Sequence, residues 1–221
     1  MQGKIERNNK NMKTIIYMLC ALVCISCSTK NNQKNIVETI TLGNQINMDL
    51  DNEKNEIELL IRNLYKWVDN SDIPILEHSP VQDENDSIYI CLDYIRSAKD
   101  VKMLNTSGLF AIEFVDNWIK TTNCINEKLR SNEEEWLVGE ISPLGNNANP
   151  WCDCQDTPSD TFWDYMIFDF SVIDNDKATL SWTWDNSELS KSFSYIIRVV
   201  KEDGVWKVAY MQGFDINNYC K

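Results

Sequence analysis

Apolar residues recur every three or four positions between Asn55 and Asn70, at Ile57, Leu60, Ile61, Leu64, Tyr65 and Val68, with Glu56 and Glu58 in the first turn. This spacing predicts an amphipathic helix whose early acids suit its dipole. Asp69 to Asp86 holds Pro74, Pro80 and many acids and reads as a loop. A second helical pattern, Ile88, Cys91, Leu92 and Ile95, follows Ser87 as its cap. A third runs from about Ser107 to Leu129, through Phe110, Ala111, Phe114, Val115, Trp118, Ile119, Thr122 and Ile125.

After Asn132 the period changes. Trp136 to Gly139 reads as a short strand, and an irregular loop rich in Pro, Gly and Asn follows. Four segments rich in aromatic and β-branched residues come next: Thr161 to Ile173, Ala178 to Asp185, Ser192 to Lys201 and Val205 to Phe214. Asp174-Asn175-Asp176 and Glu202-Asp203-Gly204 are hairpin connections, the second with the Asp-Gly pair that favours positive φ. Helices first and an antiparallel meander second predict an α+β fold, three N-terminal helices packed on a curved, cone-like four-stranded antiparallel sheet. Both faces of the strands are apolar: Phe162, Met166, Phe168, Phe170 and Val172 alternate with Trp163, Tyr165 and Ile167, and Leu180, Trp182 and Trp184 share a face. A sheet covered on one side only is polar on the other. The surplus therefore implies a pocket, a groove or a partner surface.

Upstream, Met12 to Ser28 reads as a secretory signal: a Lys, an apolar run from Ile15 to Ile25, then small residues. The run has 11 residues, short of the roughly 20 of a membrane helix. Val23-Cys24-Ile25-Ser26-Cys27 resembles a bacterial lipobox, in which the final cysteine is acylated and becomes the mature N-terminus. Cys24 stands where Leu is usual, and Cys27 is the expected lipidation site. Residues 1–26 are then a signal peptide with a start at Met12, residues 27–52 the lipidated cysteine and a flexible tether, and residues 53–221 the folded domain. That places the protein in a bacterial cell envelope, at the outer membrane, held by acyl chains worth about 0.8 kcal/mol per buried methylene.

The net charge of −13 repels phosphate backbones and argues against nucleic acid. Removing residues 1–26, with four cations against one anion, takes it to −16. Beyond the anchor stand Cys91, Cys124, Cys152, Cys154 and Cys220, an odd number whose pairing the sequence leaves open. Cys152, Cys154 and Cys220 are the disulfide candidates, with Cys220 reaching toward the other two. A metal is not expected, because the single histidine, His78, sits in the acidic loop and no second cysteine pair has matching spacing.

Three helices, a meander, and the ending Asp203-Gly204-Val205-Trp206-Lys207-Val208 resemble the nuclear transport factor 2-like (cystatin-like cone) superfamily. Within it the chain is similar to bacterial lipoproteins of unknown function, through Ile61 to Trp67, Phe114 to Trp118, and the Gln155-Asp156-Thr157-Pro158 loop after Trp151. The resemblance covers about Asn55 to Phe214 and implies a fold and a compartment, not a reaction.

No Ser-His-Asp, phosphate-loop or cofactor signature is present. His78 is expected on the surface. Asp169 interrupts an apolar alternation and is the weak candidate for a catalytic carboxylate, against the plainer reading that it bonds a loop or Arg198. Asp153, Asp156, Asp160 and Asp164 read as a solvated acidic loop. Trp151, Trp163, Trp182 and Trp184 are the ligand-binding candidates, with Trp151 the most exposed. The expected function is a non-catalytic envelope domain that binds a protein or a small molecule. The alternatives are a hydrolase or isomerase using a pocket carboxylate, and an immunity-type inhibitor of a basic toxin.

Overall fold

The first apolar stripe does form a helix, and it starts earlier than its pattern: α1 spans 48–69 in the computed structural model. The model describes residues 48–70, 78–140, 142, 145, 148–155, 157, 159–185, 187–188 and 190–220. The readings for Met12, Cys27, the signal peptide and the tether up to residue 47 lie outside the described residues. Residues 48–52, assigned to the tether from sequence, are helical, since Met48-Asp-Leu-Asp-Asn contains no breaker and runs straight into the amphipathic stretch. Asn55–Lys221 form one compact unit. Ile57, Ile61, Leu64 and Tyr65 are its buried stripe on α1, each large apolar side chain worth about 1.5–3 kcal/mol.

The second helical pattern is corrected. Asp83 Oδ1 accepts from the backbone N–H groups of Ser87 (2.7 Å) and Ile88 (3.2 Å), making a turn that feeds strand β2 (Tyr89–Leu92), paired antiparallel with β1 (Pro80–Gln82). Four apolar residues at helical spacing are too few to separate a helix from a strand. Helix α2 (Tyr94–Ser107) begins after Asp93, whose carboxylate accepts from Ile95 and Arg96 N–H, and ends at Gly108 with φ +73°. That left-handed glycine also delays the third helix, so α3 is Ile112–Ser131 rather than starting near Ser107. Lys128 and Arg130 in its last turn complement the dipole. The strand expected at 136–139 reduces to an Ile88–Leu137 bridge flanking β2.

The four-stranded sheet has the order β3 (Ile167–Ile173), β4 (Lys177–Thr183), β5 (Tyr195–Glu202), β6 (Val205–Met211), all antiparallel. The fold is α+β, helices preceding the sheet. Asp203 (φ +53°) and Gly204 (φ +78°) make the tight β5–β6 turn read from sequence. The first strand starts late because Phe162–Asp164 is a 3-10 turn, and the last stops at Met211, followed by 3-10 turns at Gln212–Phe214 and Ile216–Asn218. Ala178, Leu180 and Trp182 of β4, Tyr195, Ile197 and Val199 of β5, and Trp206, Val208 and Met211 of β6 are buried with stripes from all three helices. The outer edge of β6 is covered: Val208 N–H donates to Leu109 O and Ala111 N–H to Val208 O, both at 2.9 Å.

Gly213 illustrates how closely the turn after β6 packs against Pro150. A Cβ there would lie 2.0 Å from Pro150 O, far inside contact distance. Gly213→Ala should therefore cost up to about 3 kcal/mol by overpacking, read as a lowered denaturation midpoint; an unchanged midpoint would refute the close approach.

Candidate functional site

The surface that best suits a binding role is the outer face of the sheet, and its make-up follows from register. Ile167 lies opposite Thr183; Asp169, Ser181 and Ile196 form the next row; Val172, Thr179, Arg198 and Tyr210 the one after. A bulge between Phe170 and Val172 puts Val172 outward, overturning its expected place on the Phe168 and Phe170 face. Ile167, Val172 and Ile196 are 41%, 56% and 45% exposed. They flank a line of β4 hydroxyls, so the face alternates aliphatic and hydrogen-bonding strips.

One border of the face is a polar network that no local pattern signals. Arg198 is ion-paired with Glu113 of α3 and lies 5.6 Å from the centre of the Tyr210 ring. The Tyr210 hydroxyl donates to Asp215 Oδ2 at 3.1 Å, and burial with that carboxylate pushes its pKa up to about 12. Gln212 Oε1 accepts from Ile196 N–H, and its Nε2 donates to Asp153 Oδ2 at 2.9 Å, tying the 149–154 turn to the sheet. From below, the buried Tyr65 and Tyr195 hydroxyls donate to Trp151 O (2.7 Å) and Pro150 O (2.6 Å). Desolvation raises both phenols well above their ordinary range, so they remain donors.

The tryptophan candidates sit elsewhere than expected. Trp151, Trp163 and Trp182 are 7%, 7% and 0% exposed, and Trp184 is half-buried against Phe162, Trp182 and Phe193. The expectation that Trp151 faces solvent is therefore corrected: its ring packs on Phe214 at 4.8 Å because the Tyr65 and Tyr195 hydroxyls draw its turn inward. The four belong to one hydrophobic core, where Trp182 packs on Trp184, Trp163 on Phe162, and Trp151 on Phe110 and Phe214.

Asp169 is exposed, outward beside Ser181, and Arg198 is paired with Glu113 instead. Of the acidic-loop candidates, Asp153 accepts from Gln212 and Asp164 lies 3.3 Å from Lys66, while Asp156 lies outside the described residues. Among the described residues no group of three or more His, Cys, Asp or Glu is placed to hold a metal. Nor is any helix among them long and apolar enough to cross a membrane. Cys152 pairs with Cys154, and Cys220 pairs with Cys124 on α3 rather than with the Cys152 turn. The reason is topological: the last turns bring Cys220 back along α3.

His78 is the largest departure. Expected on the surface, it is 9% exposed, stacked on Trp118 at 5.7 Å, edge-on to Tyr219 at 6.1 Å, with Nδ1 3.2 Å from Thr122 Oγ1. That hydroxyl donates to Trp118 O, so the imidazole Nδ1–H is the donor in this pair. Burial drives its pKa down to about 4. Asp100 of α2 is also buried, and desolvation raises its carboxyl against the pull of Arg96. In the comparisons with known proteins, no family model matches the chain, and neither a curated protein nor a solved structure matches it.

Proposed function

We propose that this chain is a bacterial cell-envelope protein, held at a membrane through acyl chains on Cys27, whose domain binds a partner protein on the outer face of the sheet without catalysing a reaction. The observation that carries the reading is the row structure of that face, with exposed Ile167, Val172 and Ile196 beside the hydroxyls of Thr179, Ser181 and Thr183. Strands about 4.8 Å apart with a rise of about 3.3 Å per residue make the flat area roughly 350 Å². That is about half of one side of a standard interface, which takes about 800 Å². The partner accordingly also covers the 149–154 turn and the Arg198–Tyr210 border. The acid excess favours a basic partner, a toxin among them, and salt-sensitive association would follow.

The test is a pull-down from detergent-solubilised membranes with the acylated full chain, the Cys27→Ala chain and Ile196→Asp. Cys27→Ala should move the protein from the membrane to the soluble fraction. Ile196→Asp should weaken capture at least about tenfold, as removal of a central contact does, while leaving the denaturation midpoint nearly unchanged because the position is exposed. Capture indifferent to Ile196→Asp rejects the sheet face, and a retained small molecule with no protein rejects the partner class.

A further inference from the structure

The disulfide Cys124–Cys220 joins the middle of α3 to the next-to-last residue, 96 positions away. It anchors a C-terminal segment that belongs to no strand or α-helix and consists of two 3-10 turns. Tyr219 is that segment's buried ring at its end: its hydroxyl donates to Gly213 O at 3.0 Å, and its ring closes over His78, Leu92, Ile125 and Leu129. Cys124 also lines an open surface depression of about 580 Å³ with Glu127, Lys128, Arg130, Ser131 and Glu133. Cys124 and Cys220 are both half-buried; in the other disulfide Cys154 is half-buried as well, but Cys152 is 1% exposed.

We propose that Cys124–Cys220 is a thiol–disulfide exchange site, opened by a dithiol reductant that enters the depression, and that its opening releases Tyr219 from above His78. A reductant thiolate attacks Cys124 Sγ, which lines the depression, forming a mixed disulfide and breaking the Cys124–Cys220 bond. The electron pair leaves on Cys220 Sγ and takes a proton from solvent. The reductant's second thiol then displaces Cys124 as a thiol, so the reductant is oxidised to its disulfide by two electrons and both cysteines are reduced. Without its tether the Tyr219 turn opens, and water reaches the imidazole. Among the described residues, the groups in contact with that imidazole are Trp118 and Thr122 of α3 and the Tyr219 phenol, none charged near neutrality.

The chain has one histidine, so a single imidazole resonance reports the event. The native full chain is equilibrated in graded ratios of reduced to oxidised dithiothreitol, alkylated, and mapped by peptide mass, while the resonance is titrated with pH. Cys124 and Cys220 should become alkylated at lower reducing ratios than Cys152 and Cys154. In that state the imidazole midpoint should rise from about 4 toward the ordinary value of about 6.5. Cys220→Ser should show the raised midpoint with no reductant; if it does not fold, the dithiothreitol series on the native chain decides alone. Alkylation of both pairs only together with unfolding, or an unchanged midpoint in the reduced chain, overturns the proposal.

Discussion

Trp182→Ala is expected to remove about 3–5 kcal/mol of stability, the range for truncating a fully buried large aromatic. Trp182 has no exposed surface and sits among five rings: Tyr65 at 5.4 Å, Phe162 at 5.8 Å, Trp184 at 4.7 Å, Phe193 at 5.2 Å and Tyr195 at 5.6 Å. These come from α1, the 3-10 turn before β3, the segment after β4, and the start of β5, so one side chain couples the first helix to three parts of the sheet layer. Its Nε1 has no hydrogen-bond partner of good geometry among the described residues, so Trp182→Phe loses mainly packing and should cost clearly less than the Ala variant. Denaturant unfolding followed by circular dichroism measures both. A cost for Trp182→Ala under about 1 kcal/mol, the ordinary size of a surface change or less, would mean that the aromatic layer is not packed as described.

Stability should also fall steeply in mild acid through His78. The imidazole titrates at about 4 in the folded protein and at about 6.5 in the unfolded chain. Between those values the unfolded state binds the extra proton, so stability rises with pH across that window. Lowering the pH from 6.5 to 4 costs about 1.4 kcal/mol per unit, roughly 3 kcal/mol in all, and above 6.5 the group contributes no slope. Asp100 acts in the opposite sense, because burial raises its carboxyl and protonation there favours the folded state. The exposed Asp83 and Asp185, held low by their hydrogen bonds, lose their contribution only at more acidic pH. The difference between the native chain and His78→Phe, which keeps a ring on Trp118 and cannot titrate, isolates the imidazole. Parallel stability curves for the two between pH 4.5 and 7 would refute a buried neutral His78.

The α+β class and the order of its parts were legible because period is a local property. A run such as Ile57, Ile61, Leu64 and Tyr65 states by its spacing alone that one helical face is to be buried. Asp203-Gly204 similarly carries its turn in its own backbone preferences. The failures have a common form. Ile88, Cys91, Leu92 and Ile95 satisfied one helical template by coincidence, and only the pairing of β1 with β2 and the Asp83 turn decide that the chain is extended over Tyr89–Leu92 before α2 begins at Tyr94. Val172 changed faces because a bulge inserts one residue into the count.

The candidate site was less legible than the fold, for the same physical reason. That the strands carried too many apolar residues for a one-sided sheet was evident from composition. Which of them remain exposed was not: the tryptophans went inside, and Ile167, Val172 and Ile196 stayed out. Trp151 is buried because two phenols from distant elements hold the carbonyls of its turn, and His78 because Trp118 and Tyr219 close on it. The order of helices before the four-stranded meander, the acid excess and the cysteine inventory were all carried by local sequence. The tertiary structure alone decided register, the pairing of Cys124 with Cys220 and the burial of the only imidazole, because each of these depends on residues brought together from far along the chain.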